Sequence, residues 1–183
     1  MYDNNYLYRG ISENLYQNTN GKLIPREHTF NLTFKAGGDY DAKNQKYYCI
    51  KADGSATAGD SEKNAILGHQ MNSFVFKTSG ISTTPIVKHA IIYAFHEMPP
   101  VGYIHIIDRR LLSKYNVIEY IVENEVEFPN KTEDNEIILR SKDNGILPSD
   151  IISATKRIEI ILDKNKQLDI EAIYLKYFKI KSI

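Results

Sequence analysis

The chain has one cysteine and no tryptophan in 183 residues, and its 23 Lys and Arg are balanced by 23 Asp and Glu. Each shortage removes a class of explanation. Cys49 alone cannot close an intrachain disulfide and has no cysteine partner for a zinc site, so the redox compartment stays open. A surface without net charge exerts no general pull on nucleic acid or on anionic membranes, although an even total leaves room for a local patch. No apolar run reaches the roughly 18 residues needed to span a bilayer. The opening MYDNNYLYRG is polar and lacks a signal-peptide core, so export would need another route or a chain already processed; otherwise the protein is expected in the cytoplasm. Also missing are a glycine-rich phosphate loop, a metal-ligand spacing and a serine–histidine arrangement.

What is present leans toward β-structure and clefts, with 13 tyrosines and 7 phenylalanines. The length suits one domain over residues 1–183. Residues 5–9 read as a first strand, and 12–26 as a polar segment with one helical turn around Glu13–Gln17. Gly37-Gly38 breaks an irregular stretch, Tyr47–Ile50 reads as a short strand, and KADGSATAGDSEKN buries too little apolar area to fold as an element. Alternation in NSFVFKTS, 72–79, predicts a strand. Pro85 opens a helix capped by Thr84, with Ile86, Ala90, Ile91 and Ala94 as its buried stripe. VGYIHIID at 101–108 is a strong strand, NVIEYIVENEVEF holds one or two more, and EIILRS at 136–141 another. A turn at Pro148–Asp150 precedes a strand near 157–162; KRIEIILDKNK reads as an edge strand and turn, and the tail LDIEAIYLKYFKI as helix or strand. Many short strands with few helices predict an α+β fold with antiparallel sheets.

Three separated pieces carry chemistry. Arg9, in LYRG, is either an exposed strand-end cation or a half-buried fork for an anion; arginine's planar donors suit a diphosphate. TSGISTTP, 78–85, places Ser82, Thr83 and Thr84 before the helix; a cap explains Thr84 but not Ser82. Asp134 and Glu136 are two apart at the entry to an apolar strand, a spacing that puts both carboxylates on one face.

In this order the pieces resemble the ADP-ribosyltransferases, most of all the branch of the cholera and heat-labile enterotoxin A chains with pertussis toxin S1. LYR with GKLIPRE resembles the opening of that branch, SFVFKTSGISTTP its strand and Ser-Thr-Ser segment, PIVKHAIIYAF the following helix, and EDNEI with GILPSDII its E-x-E strand. The likeness runs from about residue 6 to about residue 155. It implies two small, mainly antiparallel sheets around an NAD cleft with short flanking helices. NAD is then the substrate, gripped by side chains: Arg9 holds a phosphate and the nearby ribose, with Tyr8, Gly10, Ser82 and Thr83 beside it. Ser82 orients the catalytic Glu136, and Asp134 stands nearer the acceptor.

There are departures. Asp134 is one methylene shorter than the glutamate of arginine-modifying members, which brings plain NAD hydrolysis forward. The interval from Glu136 to Pro148 is long, implying a larger loop at SKDNG. His69 matches a histidine of the enterotoxins at a shorter spacing, with a structural role equally open. A rival register, Glu123-x-Glu125, would make Glu125 catalytic. Tyr93 and Phe95 read as core, and Arg109-Arg110 as a rim for a protein acceptor or a solvated turn. The resemblance implies a mono-ADP-ribosyltransferase toxin or effector with a protein acceptor, secreted or delivered into a target cell, and leaves a delivery subunit open. The other readings are an NAD glycohydrolase of the same fold, an inactive protein-binding domain, and a glycosidase-like use of Asp134 and Glu136.

Overall fold

The structure is a computed structural model that describes residues 5–32, 61–126 and 134–179. Cys49, the expected strand Tyr47–Ile50 and the Gly37-Gly38 stretch lie outside the described residues. The described chain is a mixed α+β fold with two small antiparallel sheets and flanking helices. In chain order its elements are β1 (Tyr6–Ser12), α1 (Glu13–Thr19), α2 (Glu62–Asn72), β2 (Ile81–Thr83), α3 (Val87–Ala94), β3 (Val101–Asp108), β4 (Val117–Ile121), α4 (Val122–Glu125), β5 (Ile137–Ser141), β6 (Ile152–Glu159) and α5 (Ile170–Tyr177).

The first sheet has the order β1-β3-β6 and the second β2-β5-β4. Within the first, Arg9 pairs with His105 and Tyr8 with Ile106. Within the second, Ser82 pairs with Ile138 across β2 and β5. The sheets meet at one bridge just past β2. Tyr8 N–H donates to the Thr84 carbonyl at 2.8 Å, and Thr84 N–H donates back to Tyr8 at 3.0 Å. Apolar side chains fill the space behind that seam: Leu7 and Ile107 from one sheet pack with Ile81, Ile137 and Leu139 from the other. A second cluster joins β3 and β6 to α3 and α5 through Ile104, Ile158, Ala90, Ile91 and Ile173. A third seats α2 and α4 on β5 through Ala65, Ile66, Val122 and Ile138.

Gly10 is where α3 crosses β1 most closely. A Cβ there would stand 1.8 Å from the Ala90 carbonyl oxygen, so only glycine admits the helix. The Ser12 hydroxyl starts α1 by accepting from Leu15 N–H at 3.4 Å, and left-handed Asn20, φ 50°, ends it.

Several expected elements move. Residues 73–79 form turns and irregular backbone, not a strand. Their alternation has no sheet to serve: Asn72 closes the helix before them and gathers the N–H groups of Phe74, Val75 and Phe76. The sequence reading missed α2, whose Ser61 cap accepts from Asn64 N–H at 3.0 Å. α3 starts at Val87 behind Ile86 without a side-chain cap. The Thr84 hydroxyl accepts from Ile86 N–H instead, two residues too early to be that cap. Residues 122–125 coil into α4 rather than extending β4. β6 begins at Ile152, earlier than expected, and forms an edge of its sheet. The ambiguous tail is helical, started by Asp169 accepting from Ala172 N–H at 2.9 Å. Among the described residues, no helix is long and apolar enough to cross a membrane.

Candidate active site

The seam between the sheets fixes the first contact of the site. With Tyr8 bridged to Thr84, the next side chain on β1 reaches β2, and Arg9 Nη1 donates to the Ser82 carbonyl at 2.7 Å. Arg9 is partly buried, which excludes the reading of a free strand-end cation. Burial and the charge of Arg26 push its pKa down to about 10, with Glu136 opposing, so it stays charged at neutral pH.

From α2, a run of hydrogen bonds leads to Glu136, and counting protons orients it. Gly80 N–H donates to Thr78 Oγ1 at 3.2 Å, leaving the Thr78 hydroxyl to donate to His69 Nδ1 at 3.2 Å. His69 Nε2 lies 2.7 Å from Ser82 Oγ. Since Ser82 has one proton and bonds the Glu136 carboxylate, which only accepts, His69 must be the Nε2–H tautomer. Desolvation, with Arg9 and Arg26 nearby, pushes the His69 pKa down to about 4, which fits a neutral ring. Gln70, the next residue of α2, donates its amide to Glu136 Oε2. Desolvation raises the Glu136 pKa above the usual carboxylate value, held back by the bonds from Ser82 and Gln70.

Asp134 reaches the same cavity by a different route from the one its spacing suggests. Asn135 takes φ 45°, so Asp134 and Glu136 flank a left-handed turn and are not alternate residues of one strand. The Asp134 carboxylate accepts from the Tyr93 hydroxyl and lies 3.3 Å from His89 Nδ1, both on α3. Tyr93 is therefore a cavity residue, not the core residue expected; Phe95, 1% exposed, is core.

A cavity of about 550 Å³ lies against this network. Arg9, Ser82, Asp134 and Glu136 all open onto it, as do Tyr8, Gly10 and Thr83. The Thr83 hydroxyl already donates to the Ile137 carbonyl at 2.7 Å, and that of Thr84 to the Asp134 carbonyl at 2.6 Å. The first clips β2 against β5, and the second ties the chain just past β2 to the backbone of Asp134. Sequence reasoning passed over Gln70, Tyr93 and Arg26 as site residues; only Arg26 carried a signal, as the arginine of GKLIPRE. Glu125, the rival acid, sits on α4 and does not line the cavity. Arg109 is paired with Glu119 at 2.7 Å and Arg110 with Asp108 at 2.6 Å, both away from the cavity lining. Among the described residues, no group of His, Cys, Asp and Glu is placed to hold a metal ion.

No curated protein matches the chain. The family model of NarE, an ADP-ribosyltransferase family, matches residues 6–139, a span that takes in Arg9, Ser82 and Glu136. A cation from β1, a hydroxyl from β2 and a carboxylate at the entry to β5 meet at one cavity, and with that match the chain belongs to the NarE family of ADP-ribosyltransferases.

Proposed function

We propose that the protein is a mono-ADP-ribosyltransferase that breaks the nicotinamide–ribose bond of NAD and passes ADP-ribose to a protein side chain. One observation carries the reading: Arg9, Ser82 and Glu136 come from β1, β2 and the entry to β5, yet face a single cavity. Arg9 supplies a charged fork for the diphosphate. The Glu136 carboxylate accepts from the 2′-hydroxyl of the nicotinamide ribose. As the C–N bond breaks, its electron pair leaves with nicotinamide and positive charge grows on the ribose. A carboxylate already fixed by Ser82 and Gln70 stabilises that charge without having to reorganise. The acceptor's lone pair then attacks the anomeric carbon, and its proton passes to Asp134 or to water.

A second reading, NAD hydrolysis, draws on a specific feature. Asp134 already accepts from the Tyr93 hydroxyl, leaving less of a short carboxylate for a protein acceptor. Incubation with NAD labelled in the adenylate half, in a lysate of candidate target cells, tests both. Label on a protein supports transfer, label recovered only as free ADP-ribose supports hydrolysis, and intact NAD overturns the enzymatic reading. Action as a toxin or effector, with secretion or delivery into another cell, belongs to the same proposal.

A further inference from the structure

Among the described residues Phe74 is the most exposed of the large apolar side chains, at 74%, and it stands at the cavity rather than on a remote surface. Its position is built. Asn72 Oδ1 accepts from Phe74 N–H at 2.9 Å and from Val75 N–H at 3.3 Å, and the Asn72 carbonyl accepts from Phe76 N–H at 2.8 Å. The turn therefore holds the ring outward, where an unconstrained phenylalanine would turn in. The Arg26 guanidinium lies over the ring, 3.9 Å from its centroid, and Arg26 Nη1 donates to Ser73 Oγ at 3.0 Å. With one face under Arg26 and most of its surface in solvent, the ring offers its opposite face to an incoming planar group.

From this placement we infer that Phe74 is a stacking platform for the adenine ring of the dinucleotide, with Arg26 beside it as a second cation for the diphosphate. The inference rests on the proposed use of NAD and adds the end of the molecule that Arg9 and Glu136 do not reach. Those two residues hold the reacting ribose. A diphosphate leaving that point meets the second cationic side chain of the cavity, Arg26, and the base beyond it needs an aromatic face. Stacking accepts any base without hydrogen-bond readout, so Phe74 supplies affinity for the adenylate half rather than choice of leaving group.

Binding of ADP-ribose and of nicotinamide mononucleotide to the full chain, by calorimetry, tests this without any turnover. Phe74→Ala should weaken ADP-ribose by about tenfold and leave nicotinamide mononucleotide unchanged, while Phe74→Trp restores ADP-ribose. Etheno-ADP-ribose should show fluorescence quenching with the parent protein that is lost in Phe74→Ala. Unchanged ADP-ribose affinity in Phe74→Ala, equal loss for both ligands, or no ADP-ribose binding by the parent would each overturn the inference. If NAD is not cleaved but ADP-ribose binding depends on Phe74 as stated, the catalytic reading fails alone and the platform stands.

Discussion

His69 Nε2 lies 2.7 Å from the Ser82 hydroxyl, and the proton arithmetic makes the histidine the donor. A histidine in this position orients a serine that in turn orients a carboxylate, and it does so neutral. With its pKa pushed down to about 4, it should impose no break near pH 6.5 on NAD cleavage. His69→Ala should lower kcat by roughly 10- to 100-fold with a smaller change in KM, and His69→Asn, which keeps a side-chain donor, should recover part of it. A pH profile of kcat for each variant checks this.

The proposed mechanism requires Glu136 to be ionised as the ribose gains positive charge. Its pKa is raised by desolvation, so activity should fall with decreasing pH through a value above the ordinary carboxylate figure of about 4.3. Gln70→Ala removes a bond to the ionised form and should move that limb to higher pH. Glu136→Gln should cut NAD cleavage by about 10²- to 10³-fold, whereas Glu125→Gln, off the cavity, should stay near the parent rate. Full activity in Glu136→Gln would reassign the catalytic acid.

On the proposed reading, Asp134 serves the acceptor rather than the bond that breaks. Asp134→Asn should lower label transferred to protein more than it lowers nicotinamide release. Tyr93→Phe, which frees one carboxylate oxygen, should shift the ratio toward transfer. Measuring both products in one reaction gives the ratio directly.

Stability should decline as pH falls from about 6.5 toward about 4, because His69 and His105 are both held neutral in the fold at about 4 and protonate near 6.5 when unfolded. His105 is 1% exposed, with Nδ1 2.7 Å from Thr155 Oγ1 and Nε2 without a hydrogen-bond partner. Charging it strands a second N–H beside Arg9. Each histidine accounts for up to about 3 kcal/mol over that window. The raised pKa of Glu136 acts in the opposite sense, so the clean measurement is a difference: urea unfolding at pH 7 and pH 5 should show a shallower loss for His105→Gln than for the parent.

Gly10→Ala places a methyl group 1.8 Å from a backbone oxygen of α3, and neither backbone can yield cheaply. The expected cost is about 3 kcal/mol or more, seen as a lower Tm, together with weaker ADP-ribose binding, since Arg9 is the next residue back along β1.

The parts legible in the sequence were those whose pattern and packing agree. β3 runs Val101–Asp108 as its apolar run predicts, because sheet partners on both edges and packing on both faces reward it throughout. The alternation at 72–79 misled because an aromatic can alternate for the sake of a cavity, as Phe74 does. α2 was hidden because its buried side is short, with only Ala65, Ile66 and Gly68 inside, while the rest of it faces solvent or the cavity. Asp134 and Glu136 were found together for an incorrect reason: the turn at Asn135, which no period-two argument contains, brings them to one place. Gln70 and Tyr93 escaped because an ordinary amide and phenol carry no motif until a fold aims them at carboxylates.

The two hydrogen bonds between Tyr8 and Thr84 are the stitch on which this arrangement depends. Each sheet can satisfy its own ladder without them, yet Arg9 stands on one side of the stitch and Ser82 on the other. A molecule gripping both sides fastens the halves together. Dinucleotide should therefore raise the melting temperature even in a variant too crippled to turn it over, and compounds that wedge the halves apart would disarm the protein without resembling its substrate.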